Sequence, residues 1–227
     1  MKRYAVIVAG GSGKRMGKNI PKQFLLLAQK PVLLHTLEVF YRFDAHITVF
    51  LVLPRAYFDE WKLIAEKYRF QYNPILVSGG ETRFFSVKNA LDVISGTEGK
   101  VVVHDGVRPL VSVSLITNIF DALSSKSAII PVLPLISSIR KKNDDGTLHF
   151  ADRNRFVSVQ TPQGFQLRIL KQAYNQSFSD CFTDDASVVE KSGVEIYSIE
   201  GEQRNIKITT QTDLSLAEFY LSKTKNI

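Results

Sequence analysis

The sequence is poor in cysteine, in long apolar runs and, near its start, in acidic residues. Cys181 is the single cysteine among 227 residues, which excludes an internal disulfide. No histidine or cysteine stands near it at ligand spacing, so we expect a packed thiol rather than a metal ligand. The apolar stretch YAVIVA is too short to span a bilayer, and no small-residue cleavage site follows it. We therefore expect a cytoplasmic protein that does not bind membranes.

No aspartate or glutamate precedes Glu38. Seven of the 29 lysines and arginines lie before it, and the remaining 22 balance the 22 acidic residues, so the net charge of +7 comes from the first 37 residues. A face for duplex nucleic acid would spread its charge, so this concentration favours a compact phosphate site over nucleic-acid binding. The segment AGGSGKRMGKNIPKQF carries four of these cations: Lys14, Arg15, Lys18 and Lys22.

The composition, 44% hydrophobic and 22% charged, is ordinary for one globular domain spanning residues 1–227. Apolar runs alternate with amphipathic stretches, which predicts repeated βαβ units. The expected strands are 3–8, 46–53, 74–77, 100–104, 128–133, 156–160, 194–199 and 206–209. The expected helices are 32–43, 57–68, 84–94, 115–123, 168–175, 184–191 and 213–221. Because the early strands are nearly all apolar, we predict an α/β fold of three layers, α/β/α, with a mostly parallel sheet.

The βαβ rhythm stops after Pro134. The sequence LISSIRKKNDDGTLHFA has the pattern of a strand, an Asp-Gly turn and a second strand, which predicts a β-hairpin arm at about 136–151. The arm has few core-type residues, and an isolated hairpin is only marginally stable in water. We therefore expect it to pack on its own domain or on another subunit.

Three unusual loops follow predicted strands: AGGSGKRMG after the first, SGGETR after the third and HDGVRP after the fourth. The carboxyl ends of parallel strands meet at one edge of an open α/β sheet, where ligands bind. The glycine loop fits neither the dinucleotide-binding nor the P-loop template. Its glycines still allow close approach of backbone N–H groups to phosphate oxygens, and its cations would neutralise their charge. The loop therefore favours a polyphosphate ligand over a plain solvated turn.

The other two of these three loops each have a functional and a plain structural interpretation. Asp105 is the best candidate for a hard-metal ligand such as Mg²⁺ on phosphates, and a turn or helix cap is equally compatible with its local sequence. His104 is expected to be packed or hydrogen-bonded rather than a zinc ligand. Arg83 and Ser86, in SGGETRFFSV, offer hydrogen bonds to a nucleobase, while the same segment would also serve as the entry to a helix.

Taken together, the motifs resemble the 2-C-methyl-D-erythritol 4-phosphate cytidylyltransferases of isoprenoid biosynthesis, in order and spacing along the whole chain. The stretches that carry the resemblance are AGGSGKRMG, PKQF, GGETRFFSV, HDGVRP, ADRNRFVSVQTPQGF, TDDAS, NIKITT and DLSLAEFYL. The resemblance implies a nucleotidyltransferase with a glycosyltransferase-A-like fold and a protruding β-arm. It also implies Mg²⁺ as cofactor, CTP and a polyol phosphate as substrates, and a homodimer joined through the arm.

The resemblance also implies a role for individual residues. Arg15 and Lys22 correspond to the cations that stabilise the transition state, and Asp105 to the metal ligand. The CTP-binding positions are Ala9, Gly10, Gly11, Gly80, Glu81 and Ser86. Arg153 and Lys207 correspond to catalytic residues that place the methylerythritol phosphate, and further acceptor contacts, partly across the dimer, correspond to Arg108, Ser138 and Thr183. Arg204 departs from the pattern, because relatives often carry there an aspartate that contacts the sugar hydroxyls.

The implied reaction needs no general base, because the attacking phosphate oxygen of the acceptor is already anionic. Positioning and charge neutralisation are then sufficient, as in phosphoryl transfer generally. Ribitol 5-phosphate cytidylyltransferases share several of the motifs and form the nearest alternative. A nucleotide-binding protein without turnover is an alternative of another class, and an RNA-binding module ranks behind both.

Overall fold

The computed structural model describes residues 1–10 and 21–224. Its strands are β1 (Arg3–Val8), β2 (Leu26–Leu27), β3 (Lys30–Pro31), β4 (Thr48–Leu53), β5 (Ile75–Ser78), β6 (Lys100–Asp105), β7 (Ala128–Pro134), β8 (Ile139–Lys142), β9 (Leu148–Ala151), β10 (Val157–Val159), β11 (Gln163–Gln166) and β12 (Tyr197–Glu200). Its α-helices are α1 (Val32–Phe43), α2 (Phe58–Lys67), α3 (Arg83–Val93), α4 (Val113–Ala122), α5 (Leu167–Ala173), α6 (Asp185–Lys191) and α7 (Gln211–Thr224). The expected βαβ rhythm is confirmed up to β7.

The main sheet of the described residues has the order β10-β7-β11-β6-β1-β4-β5. Strand β12 also belongs to this sheet and pairs with β7 outside that order. Strand β1 pairs in parallel with β4 and β6, and β4 pairs in parallel with β5. Strands β10 and β11 run antiparallel to their neighbours. The sheet is therefore mostly parallel, as predicted, and the carboxyl ends of β1, β4, β5 and β6 meet at one edge.

The central strands are apolar because helices cover both faces of the sheet. Along β1, Ala5 and Ile7 face one hydrophobic cluster while Tyr4 and Val6 face the other. Buried residues of α1, α2 and α4 complete the first cluster, and residues of α3, α5 and α6 complete the second. This alternation along each strand gives the predicted three-layer α/β/α arrangement.

The hairpin predicted at about 136–151 is present as strands β8 and β9, which pair with each other and not with the main sheet. Asn143 and Thr147 close its turn, with the Asn143 N–H donating to the Thr147 carbonyl over 3.0 Å. Large apolar side chains of this segment are exposed: Ile136 (77%), Leu148 (64%) and Phe150 (77%). The arm thus carries apolar surface that its own domain does not cover.

Two expectations of detail are wrong, and one strand of the main sheet was not expected. The stretch 206–209 is not a strand: the alternation of Ile206 and Ile208 instead reflects packing beside α7, and the Ile208 N–H donates to the Val107 carbonyl over 2.9 Å. Strand β11 was not expected, because its sequence QGFQ has turn-like residues. Gly164 is needed there, since a Cβ atom would lie 2.3 Å from Cγ2 of Ile119. Cys181 is exposed rather than packed, because it lies on the loop between α5 and α6.

Across the described ranges, none of the helices combines the length and the apolar character that a membrane span requires.

Candidate active site

A cleft with a cavity of about 240 Å³ lies at the carboxyl ends of β1, β5 and β6. The predicted CTP-binding residues that line it are Ala9, Gly10, Gly80, Glu81 and Ser86. Lys22, Asp105 and Lys207 line the same cleft, although they come from distant parts of the chain. Gly11 and Arg15 lie outside the described residues. The three loops singled out in the sequence therefore converge through the described part of each.

The loop after β5 is held in a tight conformation by Ser86. The Gly80 N–H donates to Oγ of Ser86 over 3.1 Å, and this hydroxyl donates to the Thr82 carbonyl over 2.9 Å. Thr82 caps helix α3, its side chain accepting from the Phe85 N–H. A Cβ atom on Gly80 would lie 2.4 Å from Cβ of Phe85, so glycine is required for this close approach. The loop presents its backbone to the cleft as a consequence.

Asp105 is the last residue of β6, and its side chain is nearly buried, with 9% exposed. Its Oδ2 lies 3.0 Å from Nζ of Lys207 and 3.2 Å from Nε of Arg108. Its Oδ1 lies 3.8 Å from Nε of Arg83. Burial by itself would raise the pKa of Asp105, but these cations lower it well below its usual range. The carboxylate is therefore ionised at neutral pH.

The donor set at Asp105 fits a magnesium ion bound to phosphates. Mg²⁺ in such sites is held by one or two carboxylates together with phosphate oxygens and water, rather than by a full protein cage. In the described part of the chain, histidine, cysteine and acidic side chains form no cluster of three that could hold a metal by themselves. Asp105 supplies one ionised carboxylate at the cleft, and its Oδ1 has only the longer contact with Arg83.

Arg83 connects Asp105 to a second buried carboxylate. Nη2 of Arg83 lies 2.7 Å from Oδ2 of Asp185, which is fully buried at the start of α6. The hydroxyl of Tyr174 donates to Oδ1 of the same carboxylate over 2.6 Å. Burial lowers the pKa of Arg83, but Asp185 and Asp105 outweigh this effect and raise it. The expected nucleobase contact of Arg83 must therefore compete with a strong ion pair.

His104 is buried behind Asp105 and hydrogen-bonded, as expected. Its Nδ1 lies 3.0 Å from Oγ1 of Thr161, and its Nε2 lies 3.1 Å from the Arg108 carbonyl oxygen. Burial lowers the pKa of His104 to about 4, so the imidazole is neutral at physiological pH. The Asp105 N–H donates to Oγ1 of Thr161 over 3.1 Å. These bonds fix the end of β6 that carries the carboxylate.

The segment that carries Lys207 is fixed by a neighbouring set of polar bonds. Nδ2 of Asn205 donates to the Thr161 carbonyl over 2.8 Å, and Nη1 of Arg108 donates to the Asn205 carbonyl over 2.8 Å. Nε2 of Gln160 donates to the Glu202 carbonyl over 2.8 Å. Arg108, an expected acceptor contact, thus joins Asp105 to the segment of Lys207.

Other predicted acceptor residues lie away from this cleft. Ser138 and Arg153 belong to the exposed region of the arm, and Arg153 donates from Nη1 to the Ile136 carbonyl. Thr183 is exposed just before α6. The guanidinium of Arg204 lies 5.9 Å from the centre of the Tyr220 ring and outside the lining of the cleft. The described cleft of one chain therefore brings together five of the six predicted CTP positions and, of the predicted acceptor positions, only Lys207.

Several supporting residues were missed by the sequence analysis: Gln23, Gln160, Thr161, Asp185 and Asn205. All of them are buried polar side chains. Each stands inside a motif already noted, in PKQF, ADRNRFVSVQTPQGF, TDDAS or NIKITT. The signal available in the sequence was a polar residue inside a motif that also carries a candidate site residue. Its burial and the partner that it contacts are visible only in the fold.

A mostly parallel sheet between helical layers, with a cation-lined cleft at the strand ends, is an α/β architecture suited to a nucleotide. Residues 4–223 match the family described as 2-C-methyl-D-erythritol 4-phosphate cytidylyltransferase. A relative of that name from Phocaeicola vulgatus is 48% identical over 96% of this chain and 99% of its own, and one from Bacteroides thetaiotaomicron is 46% identical over 97% and 100%.

Solved structures agree with this match. The 4-diphosphocytidyl-2C-methyl-D-erythritol synthase of Anaerococcus prevotii superposes with a TM-score of 0.82, at 29% identity over 97% of this chain and 98% of its own. The 2-C-methyl-D-erythritol 4-phosphate cytidylyltransferase of Thermus thermophilus gives 0.75, at 29% identity over 98% and 100%. The chain belongs to the 2-C-methyl-D-erythritol 4-phosphate cytidylyltransferase family. It is a nucleotidyltransferase of that family's fold, as the sequence resemblance implied.

The buried pair of Arg83 and Asp185 gives a stability prediction. Asp185→Asn leaves the guanidinium without its near carboxylate in a buried place, which we expect to lower the free energy of unfolding by about 3–5 kcal/mol. Asp59→Asn is the matched control, because Asp59 pairs with Lys62 on an exposed helix surface and its loss should leave the free energy of unfolding almost unchanged. Denaturant unfolding of both variants checks this, and equal losses would contradict the importance of the buried pair.

Proposed function

We propose that this chain transfers the cytidylyl group of CTP to 2-C-methyl-D-erythritol 4-phosphate and releases pyrophosphate, in isoprenoid biosynthesis. The observation that carries the proposal is the joint position of Lys22, Lys207 and an ionised Asp105 around one cleft at the strand ends. This arrangement suits the transfer of a phosphoryl-type group, in which charge neutralisation and positioning provide the rate. The family match supports the identity of both substrates.

Each side of the cleft has a part in this reaction. The backbone at Ala9, Gly10 and Gly80 allows close approach of the nucleotide, and we assign Glu81 to the recognition of the cytosine. Lys22, with Arg15 from the adjoining loop sequence, neutralises charge that develops on the α-phosphate. A phosphate oxygen of the acceptor attacks the α-phosphorus, and the bond from that phosphorus to the pyrophosphate oxygen breaks. No proton has to be removed from the nucleophile, so neutral, buried His104 is not needed as a base.

We propose Asp105 as the protein ligand of Mg²⁺. The bound ion would supply positive charge between phosphate oxygens and stabilise the leaving pyrophosphate. Asp105 pairs with Lys207 at 3.0 Å, so the proposed metal ligand and the lysine proposed to bind the acceptor phosphate belong to one cluster of charges.

We also propose a homodimer in which the arm of one subunit completes the acceptor site of the other. Exposed apolar side chains on and beside the arm support this: Ile136, Leu148, Phe150, Phe156 and Val157. A second copy of the chain is the occupant that fits, because Ser138 and Arg153 lie in this region and outside the lining of their own cleft. The metabolic character of the relatives supports a cytoplasmic location.

The reaction itself is tested by pyrophosphate release from CTP with two acceptors side by side. We expect turnover with methylerythritol 4-phosphate, and a kcat/KM for ribitol 5-phosphate lower by at least 10²-fold, because a bound sugar phosphate must be oriented for in-line attack. Equal or better use of ribitol 5-phosphate would assign the chain to the pentitol alternative. Calorimetric CTP binding without turnover on either acceptor would instead favour a nucleotide-binding protein that is not an enzyme.

The metal role is tested with Asp105→Asn, which keeps the shape and removes the charge. We expect turnover to fall by about 10²-fold or more and the remaining rate to lose its dependence on magnesium concentration. Glu81→Gln is the matched control, since Glu81 supplies another carboxylate to the same cleft and we assign that carboxylate to the cytosine rather than to the metal. Its magnesium dependence should match the unchanged protein. An Asp105→Asn variant with the original magnesium dependence would show that Asp105 acts only through its ion pairs.

The dimer is tested by replacing residues 136–151 with a short Gly-Ser loop. We expect light scattering to report a monomer, because the exposed apolar area of the arm is lost, and we expect turnover to fall with the loss of Ser138. The sheet and its core lie outside the arm, so the free energy of unfolding measured at low protein concentration should change little. A variant that stays dimeric and fully active would contradict the proposed role of the arm.

A further inference from the structure

Among the described residues, the buried side-chain nitrogen and oxygen atoms without a hydrogen-bond partner are Oε1 of Gln23 and Oδ1 of Asn205. Both side chains are completely buried. A buried amide oxygen without a partner lowers stability, which offsets part of what the NH₂ group of the same amide contributes by its hydrogen bond. Each amide is therefore a costly way to make one hydrogen bond, and what that bond holds in place becomes the question.

Each of the two amides stands within two positions of a lysine of the site. Gln23 directly follows Lys22 in the 3₁₀ turn Lys22–Phe24, and Asn205 stands two residues before Lys207 in a stretch without regular secondary structure. Neither segment belongs to the main sheet. Each of these site lysines is thus rooted in a short irregular segment that needs an external anchor.

Gln23 provides that anchor for the turn of Lys22. Its Nε2 donates to the carbonyl of Ala9 over 2.9 Å, across 14 positions of sequence. Ala9 follows β1 directly, and its own N–H donates to the Val52 carbonyl of β4 over 2.9 Å. The turn has no side-chain cap at Pro21. The bond of Gln23 therefore ties the turn to the sheet at the residue where the nucleotide loop begins.

Asn205 provides the anchor for the segment of Lys207. Its Nδ2 donates to the carbonyl of Thr161 over 2.8 Å, and the hydroxyl of Thr161 accepts the N–H of Asp105. The Asn205 carbonyl accepts from Nη1 of Arg108, whose Nε contacts Asp105. The segment of Lys207 and the carboxylate of Asp105, which lies 3.0 Å from Nζ of Lys207, are consequently held by the same two residues, Thr161 and Arg108.

We infer that Gln23 and Asn205 are positioning residues, Gln23 for Lys22 and Asn205 for Lys207. A lysine side chain is long and flexible, so its ammonium group is placed accurately only when its backbone root is fixed. Each amide uses its NH₂ group for this purpose and leaves its oxygen unpaired. The inference rests on the roles proposed above for the two lysines in the reaction.

The single variants Gln23→Met and Asn205→Leu remove the amide and keep a similar volume. We expect kcat to fall by about 10- to 100-fold, because small displacements of a catalytic group cost that much. The midpoint of thermal unfolding should fall by no more than about a few degrees, because the carbonyl of Ala9 or Thr161 loses its donor while the unpaired amide oxygen is removed as well. Asn205→Leu should also raise the acceptor KM, with calorimetric CTP affinity changed by less than 2-fold. Gln172→Met and Asn118→Leu, at exposed helix positions, are matched controls that should leave kcat unchanged.

Double variants separate positioning from a general structural role. In the Lys22→Ala background, Gln23→Met should reduce kcat by less than 2-fold further, because the group that it positions is gone. In the Lys207→Ala background, the same change should keep its full effect. Asn205→Leu should show the opposite pattern. Gln23→Leu and Asn205→Ser repeat the cycles with different side chains.

The outcomes distinguish the possible failures. Losses that multiply in the background of the paired lysine would overturn the positioning roles, as would single variants whose unfolding midpoint drops by more than a few degrees. Both would mean that the amides support the fold as a whole. If Lys22→Ala and Lys207→Ala by themselves leave turnover unchanged, the proposed catalytic roles are wrong, and the positioning roles are wrong with them.

Discussion

The carboxylate of Asp105 is the constraint on which the rest of the site depends. It is ionised, it stands at the end of a strand buried on both faces, and its removal from water would cost several kcal/mol without compensation. The chain compensates with cations from separate elements: Arg83 from the start of α3, Arg108 from the loop after β6 and Lys207 from the segment before α7. Satisfying one charge therefore brings together parts of the chain that lie up to 124 positions apart.

The fold makes this convergence possible because its parallel strands end at one edge. The loops after β5 and β6 and the residues Ala9 and Gly10 after β1 share that edge, while helices on both faces exclude water from the strands below it. The floor of the cleft is consequently held by the backbone hydrogen bonds of the sheet, and its walls, which are irregular segments, are held by side-chain hydrogen bonds. Ser86 holds one wall, the Gln23 side chain a second and Asn205 a third. In each case a buried polar group replaces the regular hydrogen bonds that a strand or a helix would provide.

Much of this could be predicted from the sequence, because apolar runs and glycine-rich loops follow local rules. The early strands, the α/β/α layers and the hairpin are confirmed. Strand β11 could not be predicted, since its residues QGFQ become a strand only by pairing between β6 and β7. The stretch 206–209 fails for the opposite reason: its alternation is real, but it packs beside α7 and lacks a strand partner. The same division holds for the site. Asp105 and Lys22 could be singled out from their residue type and their place in the sequence. The role of Gln23 could not, because it depends on a hydrogen bond to the Ala9 carbonyl 14 positions away.

The position of the charges explains why the excess of cations lies at the start of the chain. Among the described residues at the cleft and directly behind it, the cations Arg83, Arg108 and Lys207 pair with the carboxylates Asp105 and Asp185, and the carboxylate of Glu81 lines the same cleft. Cations from the balanced part of the sequence are thus largely compensated by carboxylates of the same site. A triphosphate brings several negative charges into a low-dielectric cleft, so nearly neutral walls are not enough to hold it. In the proposed reaction, the additional positive charge would come from the acid-free segment AGGSGKRMGKNIPKQF and from the divalent cation proposed above.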